Sequence, residues 1–406
     1  MMLMTNTAAA RPVADTAWSP LIKSVYLNRN GIELELPLLR LGSADYLWLR
    51  FDELYTEPRN FRYRIRHCSR LWEVDDLEAY EFMNGFDDHD VEHFAPSFTT
   101  RTDYTHYSTR IPDQSSSFRL SGNYVVEIYA EDQPDSIVLT RRFAVSEEIA
   151  TVDIEVNRAT SAYGNFQRDQ EVSLCWELRQ GEYIPSAANY ATVVVRQNGR
   201  DDLQRTLHFS GYNGTKMCYN NHRENVFPGG NTFRYFDISN ASTPMGNVQR
   251  IERFGSDIMA ILRPEEVRAR KPYTADAVLA GGMKTNVWNR TQVQTEAEYV
   301  WVNFSLPMAQ PLLDGSIHVV GELTQWQLSD ASRMEWQPSY HCYTLRLLLK
   351  QGYYAYQLVV KRVGESEGST AELEGDHTES PNNYTAYVYL QLPNDRYDRL
   401  IGTARR

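Results

Sequence analysis

The 406-residue sequence is poor in cysteine, in long apolar runs, in basic stripes and in helical periodicity, and each shortage removes a class of protein. Its four cysteines, Cys68, Cys175, Cys218 and Cys342, form no C-x-x-C pair, which excludes a zinc knuckle or a dithiol redox motif. Each lies among strand-like residues, where cysteine serves as a small buried hydrophobe; a Cys175–Cys218 disulfide is compatible with the sequence. No stretch approaches the roughly 18 consecutive apolar residues of a membrane-spanning helix, so no direct membrane span is expected. Acidic residues outnumber basic ones, 53 to 41, giving a net charge of −12. No Lys/Arg stripe is long enough to follow a phosphate backbone, and nucleic acid is not an expected partner.

Catalytic signatures are equally scarce. There is no G-x-S-x-G elbow, and no serine or cysteine stands in a nucleophile signature. The pair Gly229-Gly230 lacks the strand-loop-helix setting of a phosphate cradle and reads as a turn. The string "HDVEH" matches H-x-x-E-H, in which His89 and His93 would hold Zn²⁺ while Glu92 activates water, but that chemistry needs a stable helix. "NGFDD" before it and "FAPSFTT" after it leave no room for one, so an acidic interstrand loop is expected. No catalytic, cofactor-binding or metal residues, and no cofactor, are assigned.

What is present is strand. Aromatic residues make up 12% of the chain, with 26 Tyr, a bias that suits half-buried strands. "NYVVEIYAE" sets Tyr124, Val126 and Ile128 on one face and Val125, Glu127 and Tyr129 on the other. "SIVLTRRFAV" continues the alternation after the turn "EDQPD". Asn198-Gly199 divides two strand-like runs and suits a hairpin turn. "YVWVNFSL" and "YTAYVYLQL" alternate in the same way. Only "WEVDDLEAYEF" and "RPEEVRAR" carry helical signals, the second with Pro264 in the first turn.

The pattern predicts an all-β protein of tandem immunoglobulin-like or early-set β-sandwich domains with few short helices. The expected boundaries are a flexible N-terminal tail or signal remnant at 1–20, a first sandwich at 21–148 and a second at 149–285. A linker at 286–297, an early-set-like third sandwich at 298–393 and a C-terminal tail at 394–406 complete the chain.

Residues 318–362, "VVGELTQWQL", "RMEWQ" and "CYTLRLLLKQGYYAYQLVV" among them, resemble the early-set sandwich of starch- and glycogen-associated modules. Trp326 falls where those modules place a sugar-stacking tryptophan, the basis of an alternative reading as an envelope carbohydrate-binding protein. Gln357 stands where the binding modules carry a lysine, and their second tryptophan is replaced by the polar "GESEGSTAELEGDHTES". Trp326, Tyr354 and Tyr356 are expected to form packed interior and rim of the third sandwich and not ligand contacts.

A longer resemblance runs through "IKSVYLNRNGIELELPLLRLGS", "FRYRIRHCSRLWEVDDLEAYEFMNGF", "YTHYSTRIP", "LSGNYVVEIYAEDQPDSIVLTRRF", "ENVFPGGNTFRYFDI", "LRPEEVRARKPY", "LLDGSIHVVGELTQWQL", "LLLKQGYYAYQLVV" and "NDRYDRLIG". In this order, from about residue 21 to 402, these are similar to the plug protein family of the type IX secretion system of Bacteroidota. The resemblance implies a non-enzymatic periplasmic protein at the inner face of the outer membrane. Its partner would be the outer-membrane translocon barrel, whose empty channel it would occlude. It also implies export, under which a disulfide is chemically permissible. Tyrosines and arginines of "FRYRIRH" and "NDRYDRLIG" are plausible contact groups, and the partner interface is not assigned to residues.

Overall fold

The computed structural model describes residues 12–55, 57–275 and 279–406. It is almost entirely β, with helices among the described residues confined to single turns such as Ala79–Phe82, Ala187–Tyr190 and Val293–Glu296. Six large sheets pair into three sandwiches, each closed over its own apolar core.

In the first sandwich, strand Gly122–Ala130 pairs on one side with Phe61–Cys68 and on the other with Ile137–Ser146, as its alternation requires. The facing sheet is built from Ile22–Arg29, Leu47–Glu53, Thr105–Ile111 and His93–Pro96. Tyr63, Ile65, Tyr124, Val126, Phe143 and Val145 lie between the two sheets, buried at 1% exposure or less. Residues 12–20, expected as part of a flexible tail, are part of this fold: Thr16–Ala17 pairs with Leu139 and Thr140. The rest of that expected tail, residues 1–11, lies outside the described residues.

The other two sandwiches do not follow sequence order. The second opens with Ala150–Arg158, Asp169–Leu178 and Lys216–Tyr219, and its facing sheet has the order Gln204–Leu207, Ala191–Gln197, Tyr384–Leu390, Arg399–Arg405. Half of that sheet therefore comes from the chain's last 23 residues. The third sandwich is inserted between Val226–Pro228 and Tyr384–Leu390. Its central strand, Gly352–Arg362, pairs near its start with Arg234–Asp237 and Met283–Thr285, and near its end with Gly315–Val320. The opposing sheet runs Val248–Phe254, Asp257–Leu262, Tyr299–Pro307, Cys342–Lys350, Glu335–Gln337.

The boundaries 149–285 and 298–393 are corrected accordingly. Residues 234–285 belong with the third sandwich and 384–405 with the second. Period-two alternation shows which side of a strand is buried but not which strand it pairs with, so sequence adjacency was a poor guide. The expected tail 394–406 contains the edge strand Arg399–Arg405, in register with Tyr384–Leu390. The expected linker 286–297 holds the helical turn Val293–Glu296 and carries contacts described below.

"WEVDDLEAYEF" forms one helical turn, Ala79–Phe82, closed by a capping box between Glu78 and Glu81. "RPEEVRAR" forms none. Its backbone amides are taken by other segments, Glu265 N–H by Ser305 O at 2.8 Å and Arg268 N–H by Leu373 O at 2.7 Å. Tertiary bonding overrides a modest local propensity here. Cys175 and Cys218 are direct cross-strand neighbours and form a disulfide across 43 residues of sequence, while Cys68 and Cys342 are free and buried.

Because Arg399–Arg405 completes a sheet, deleting residues 394–406 should expose the buried Val388 and Leu390 and unravel the second sandwich. Limited proteolysis should then cut within 150–228 while a fragment of the first sandwich persists; a truncated chain as resistant as the full one would refute this strand's role.

Candidate functional site at the junction of the three sandwiches

The chemistry of this protein concentrates where its sandwiches meet. Between the first and third, Asp52 has no exposed surface and Lys350 is 1% exposed. Lys350 Nζ donates to Asp52 Oδ2 at 2.6 Å and to Gln294 O at 2.5 Å, and it lies 4.3 Å from the Tyr104 ring centroid. The Tyr299 hydroxyl also donates to Asp52 Oδ2, at 2.7 Å, while His106 Nδ1 lies 2.6 Å from Oδ1. Burial by itself would raise the Asp52 carboxyl; Lys350 and His106 outweigh it and hold the group below the ordinary carboxylate range. Close by, Glu298 accepts the Thr102 amide at 3.1 Å, and Phe98 N–H bonds Thr295 O at 2.8 Å. The segment expected as a linker is thus a bonded part of the interface.

The first and second sandwiches share a small apolar cluster of Ala144, Val194, Tyr387, Tyr389 and Leu400. Around it the C-terminal "NDRYDRLIG" acts as a strap. Arg396 pairs with Glu81 at 2.7 Å, Asp398 accepts from the backbone and guanidinium of Arg70 at 2.8 and 2.9 Å, and Arg399 pairs with Glu147 at 2.6 Å. These arginines, expected as exposed contact groups, fasten one sandwich to another. In "FRYRIRH", Tyr63 and Ile65 enter the core, whereas Arg62 and Arg64 lie on the outer face, paired with Asp88 and Glu127.

Within the third sandwich the fully buried Glu374 binds Arg234 and Arg268 and accepts the Leu358 amide. Arg268 is thereby drawn onto Glu374 while Arg234 takes the Glu266 carbonyl at 2.8 Å, which keeps this segment out of a helix.

Trp326 stands where all three bodies converge. Its indole packs against Gly199 in the hairpin of the second sandwich and against Gly281 of the third. A Cβ added at either glycine would come within 2.3 or 2.0 Å of the ring. Phe233 approaches edge-on at 6.0 Å between centroids. The Asn198-Gly199 turn has its positive φ at Asn198, and a 3-10 turn, Asp201–Leu203, completes the hairpin. Gly199 thus serves mainly as space for the indole. A sugar platform requires an exposed ring face; this half-buried ring packs its edge on Gly199 and Gly281 and otherwise faces the cavity described next. Gln357 is buried and donates to Asn231 O at 2.7 Å, and Tyr354 and Tyr356 are buried at 2% and 0% exposure.

Beside the indole is a cavity of about 260 Å³, lined from the first sandwich by Leu27, Arg141 and Phe143, from the second by Arg196 and Tyr387, and from the third by Glu322. Glu322 accepts the Met283 amide at 2.9 Å. Burial pushes its carboxyl up to about 7, against the pull of that bond and of Arg141 and Arg50.

The "HDVEH" residues are not gathered. His89 lies in strand Asp88–Asp90, its Nε2 2.7 Å from Phe86 O, whereas His93 begins His93–Pro96 in the opposite sheet. The segment is two short strands and not the expected loop. Among the described residues, no group of three or more His, Cys, Asp or Glu side chains could hold a metal ion, and no helix is long and apolar enough to cross a membrane.

Sequence reasoning passed over Asp52, Lys350, Glu322 and Arg141. A signal existed for one of them. On "IVLTRRFAV", Leu139, Arg141, Phe143 and Val145 share a face, so an arginine stands in a core-facing row. For Asp52 and Lys350 no local pattern exists, since their partners are 298 residues apart.

Comparison with known proteins gives a matching family model, type 9 secretion system plug protein 1st domain, over residues 22–147. A crystal structure of a hypothetical protein from Parabacteroides merdae superposes with a TM-score of 0.94. It is 29% identical and covers 98% of this chain and 99% of that one. Escherichia coli alpha-2-macroglobulin activated by porcine elastase is 8% identical, over 94% of this chain and 30% of that one, and its TM-score of 0.16 carries no argument. No curated protein matches the chain.

Lys350→Met would leave the Asp52 carboxylate buried beside an apolar side chain, at a cost of about 3–5 kcal/mol. In a denaturant-unfolding double-mutant cycle, adding Asp52→Asn should recover part of that loss, and strictly additive costs would contradict the coupling. For Glu322 the folded value lies above the unfolded one, so its favourable contribution is complete below about pH 4.5 and lost as pH rises through about 7. Glu322→Gln should therefore be near neutral at pH 5 and stabilising by on the order of 2 kcal/mol at pH 8, as read from urea midpoints at the two pH values.

Proposed function

We propose, from the match of residues 22–147 to the family model for the first domain of the type 9 secretion system plug protein, that the chain is a non-enzymatic plug. It docks at the periplasmic mouth of the outer-membrane translocon barrel and closes the channel when no cargo is passing. The family match is the observation that carries this reading, and the architecture supports it physically. A pore wide enough for folded cargo leaks small solutes unless a body with a contact area on the order of 1,000 Å² or more covers it. A stopper must also resist deformation. Three sandwiches fastened by the Asp52–Lys350 pair, the Arg396–Arg399 strap and the Trp326 wedge meet that need without a hinge between bodies. Release must be reversible, which favours a polar, partly hydrated contact, and a surface carrying a net charge of −12 is suited to one. The Cys175–Cys218 disulfide is in keeping with an oxidising compartment such as the periplasm.

The test is occupancy. Translocon barrels purified from cells depleted of cargo should carry the chain, and barrels stalled on a cargo protein should lack it. Equal amounts in both preparations, or absence from the empty barrels, would overturn occlusion.

A further inference from the structure

The cavity at the three-body junction contains an arrangement that structural bracing does not use. Arg141 is 7% exposed and sits in a row otherwise made of core residues. Its Nη1 donates to Thr140 O at 2.9 Å and to Gln325 Oε1 at 3.3 Å, and its other N–H groups have no acceptor among the described residues. No described carboxylate lies within ion-pair distance of it, although other buried arginines of the junction have one: Arg142 is 2.6 Å from Asp201, and Arg196 is 3.3 Å from the same residue. Three residues of the lining, Asn28, Arg142 and Arg196, also carry a buried polar atom without a hydrogen-bond partner among the described residues. The carboxyl groups of Asp15 and Glu322 act on Arg141 without a direct ion pair, and a buried cation lacking one is costly unless an anion reaches it.

One part of the lining is apolar, with Leu27, Leu36, Phe143 and the rings of Trp72 and Trp326 beside the charged and polar groups. An apolar recess with a few convergent donors is the form of a small-molecule site. We propose that this cavity binds a small monocarboxylate with an aromatic or branched aliphatic body, its carboxylate on Arg141 and its body among these side chains. A ligand seated there touches all three sandwiches and braces their mutual arrangement.

Glu322 lines the same cavity, and its own surroundings are Arg141, Arg50, Glu33 and the Met283 amide. Asp15 and Glu35 add negative charge to the lining, Arg142, Arg196 and Arg405 positive charge. Asp15 is paired with Arg142, and Glu35 with Arg29. Ionised Glu322 is thus the main unpaired charge opposing an incoming carboxylate, so affinity should rise as pH falls through about 7.

Calorimetric titration of the full chain with sodium benzoate, at constant chloride, tests the site. Benzamide serves as the uncharged isostere and inorganic phosphate as an anion without an apolar body. Saturable benzoate binding is expected, several-fold tighter at pH 6 than at pH 8 and at least tenfold tighter than benzamide or phosphate. Arg141→Met should weaken it tenfold or more, and Glu322→Gln should remove the pH dependence while keeping the tighter affinity. Absence of saturable benzoate binding, equal binding of benzamide or phosphate, or undiminished binding by Arg141→Met would overturn the proposal. Should Arg141→Met not fold, an unchanged pH profile in Glu322→Gln overturns it, and a flattened one supports it.

Discussion

A carboxylate without solvent contact, Asp52, fixes how the first sandwich sits on the third. Charges removed from water regain little net energy from each other. What such a group enforces is geometry, because Lys350, Tyr299 and His106 must all reach two oxygen atoms at once. Any rotation of one sandwich against the other would leave a buried ion unpaired, at a cost of several kcal/mol. Apolar contacts slide more readily, and this polar centre makes a single arrangement far better than its neighbours. The other junctions repeat the logic, with Asp398 on Arg70 and Arg399 on Glu147. A chain of tandem sandwiches would ordinarily flex at its joints; here the joints carry bonds of the kind found inside domains.

Much of the fold was legible in the sequence, for a physical reason. Strands covered on one side must alternate, so "NYVVEIYAE" displays its buried face directly and the turn "EDQPD" marks where it reverses. The central strand of the third sandwich was legible too, since Tyr354 and Tyr356 fall on the inward side of a Tyr-rich strand. Connectivity was not. "YTAYVYLQL" reads equally well beside a third-sandwich strand and beside Ala191–Gln197, where it lies. "RPEEVRAR" has a helix's composition and start, yet Arg234 claims Glu265 from 31 residues away and Glu374 claims Arg268 from 106.

The junction was less legible still. Asp52 and Lys350 are ordinary strand residues until the fold brings them together. Trp326 was noticed for its ring and its place between apolar strands, but its role depends on two glycines, Gly199 and Gly281, that look like turn formers when read locally. "HDVEH" is the reverse case, a spacing with meaning only on a helix and none on strands in opposite sheets. What the sequence did carry over long range was its resemblance to the plug family, and the match over residues 22–147 bears on a body built from one continuous run of chain.

The insertion of the third sandwich also sets an order of events when the chain folds from its N-terminus. Ala191–Gln197 has one neighbour, Gln204–Leu207, available at once, but waits for its other until Tyr384–Leu390 has emerged nearly 190 residues later. The second sandwich must therefore remain half-built, with a long strand edge open, while the inserted body forms. Closing that edge brings in Arg399–Arg405 and the strap that grips the first sandwich, so residues 384–405 complete the second body and lock the assembly in one step. Non-local pairing of this kind is slow, and it links arrival of the final strand to the moment at which the molecule first acquires a fixed shape.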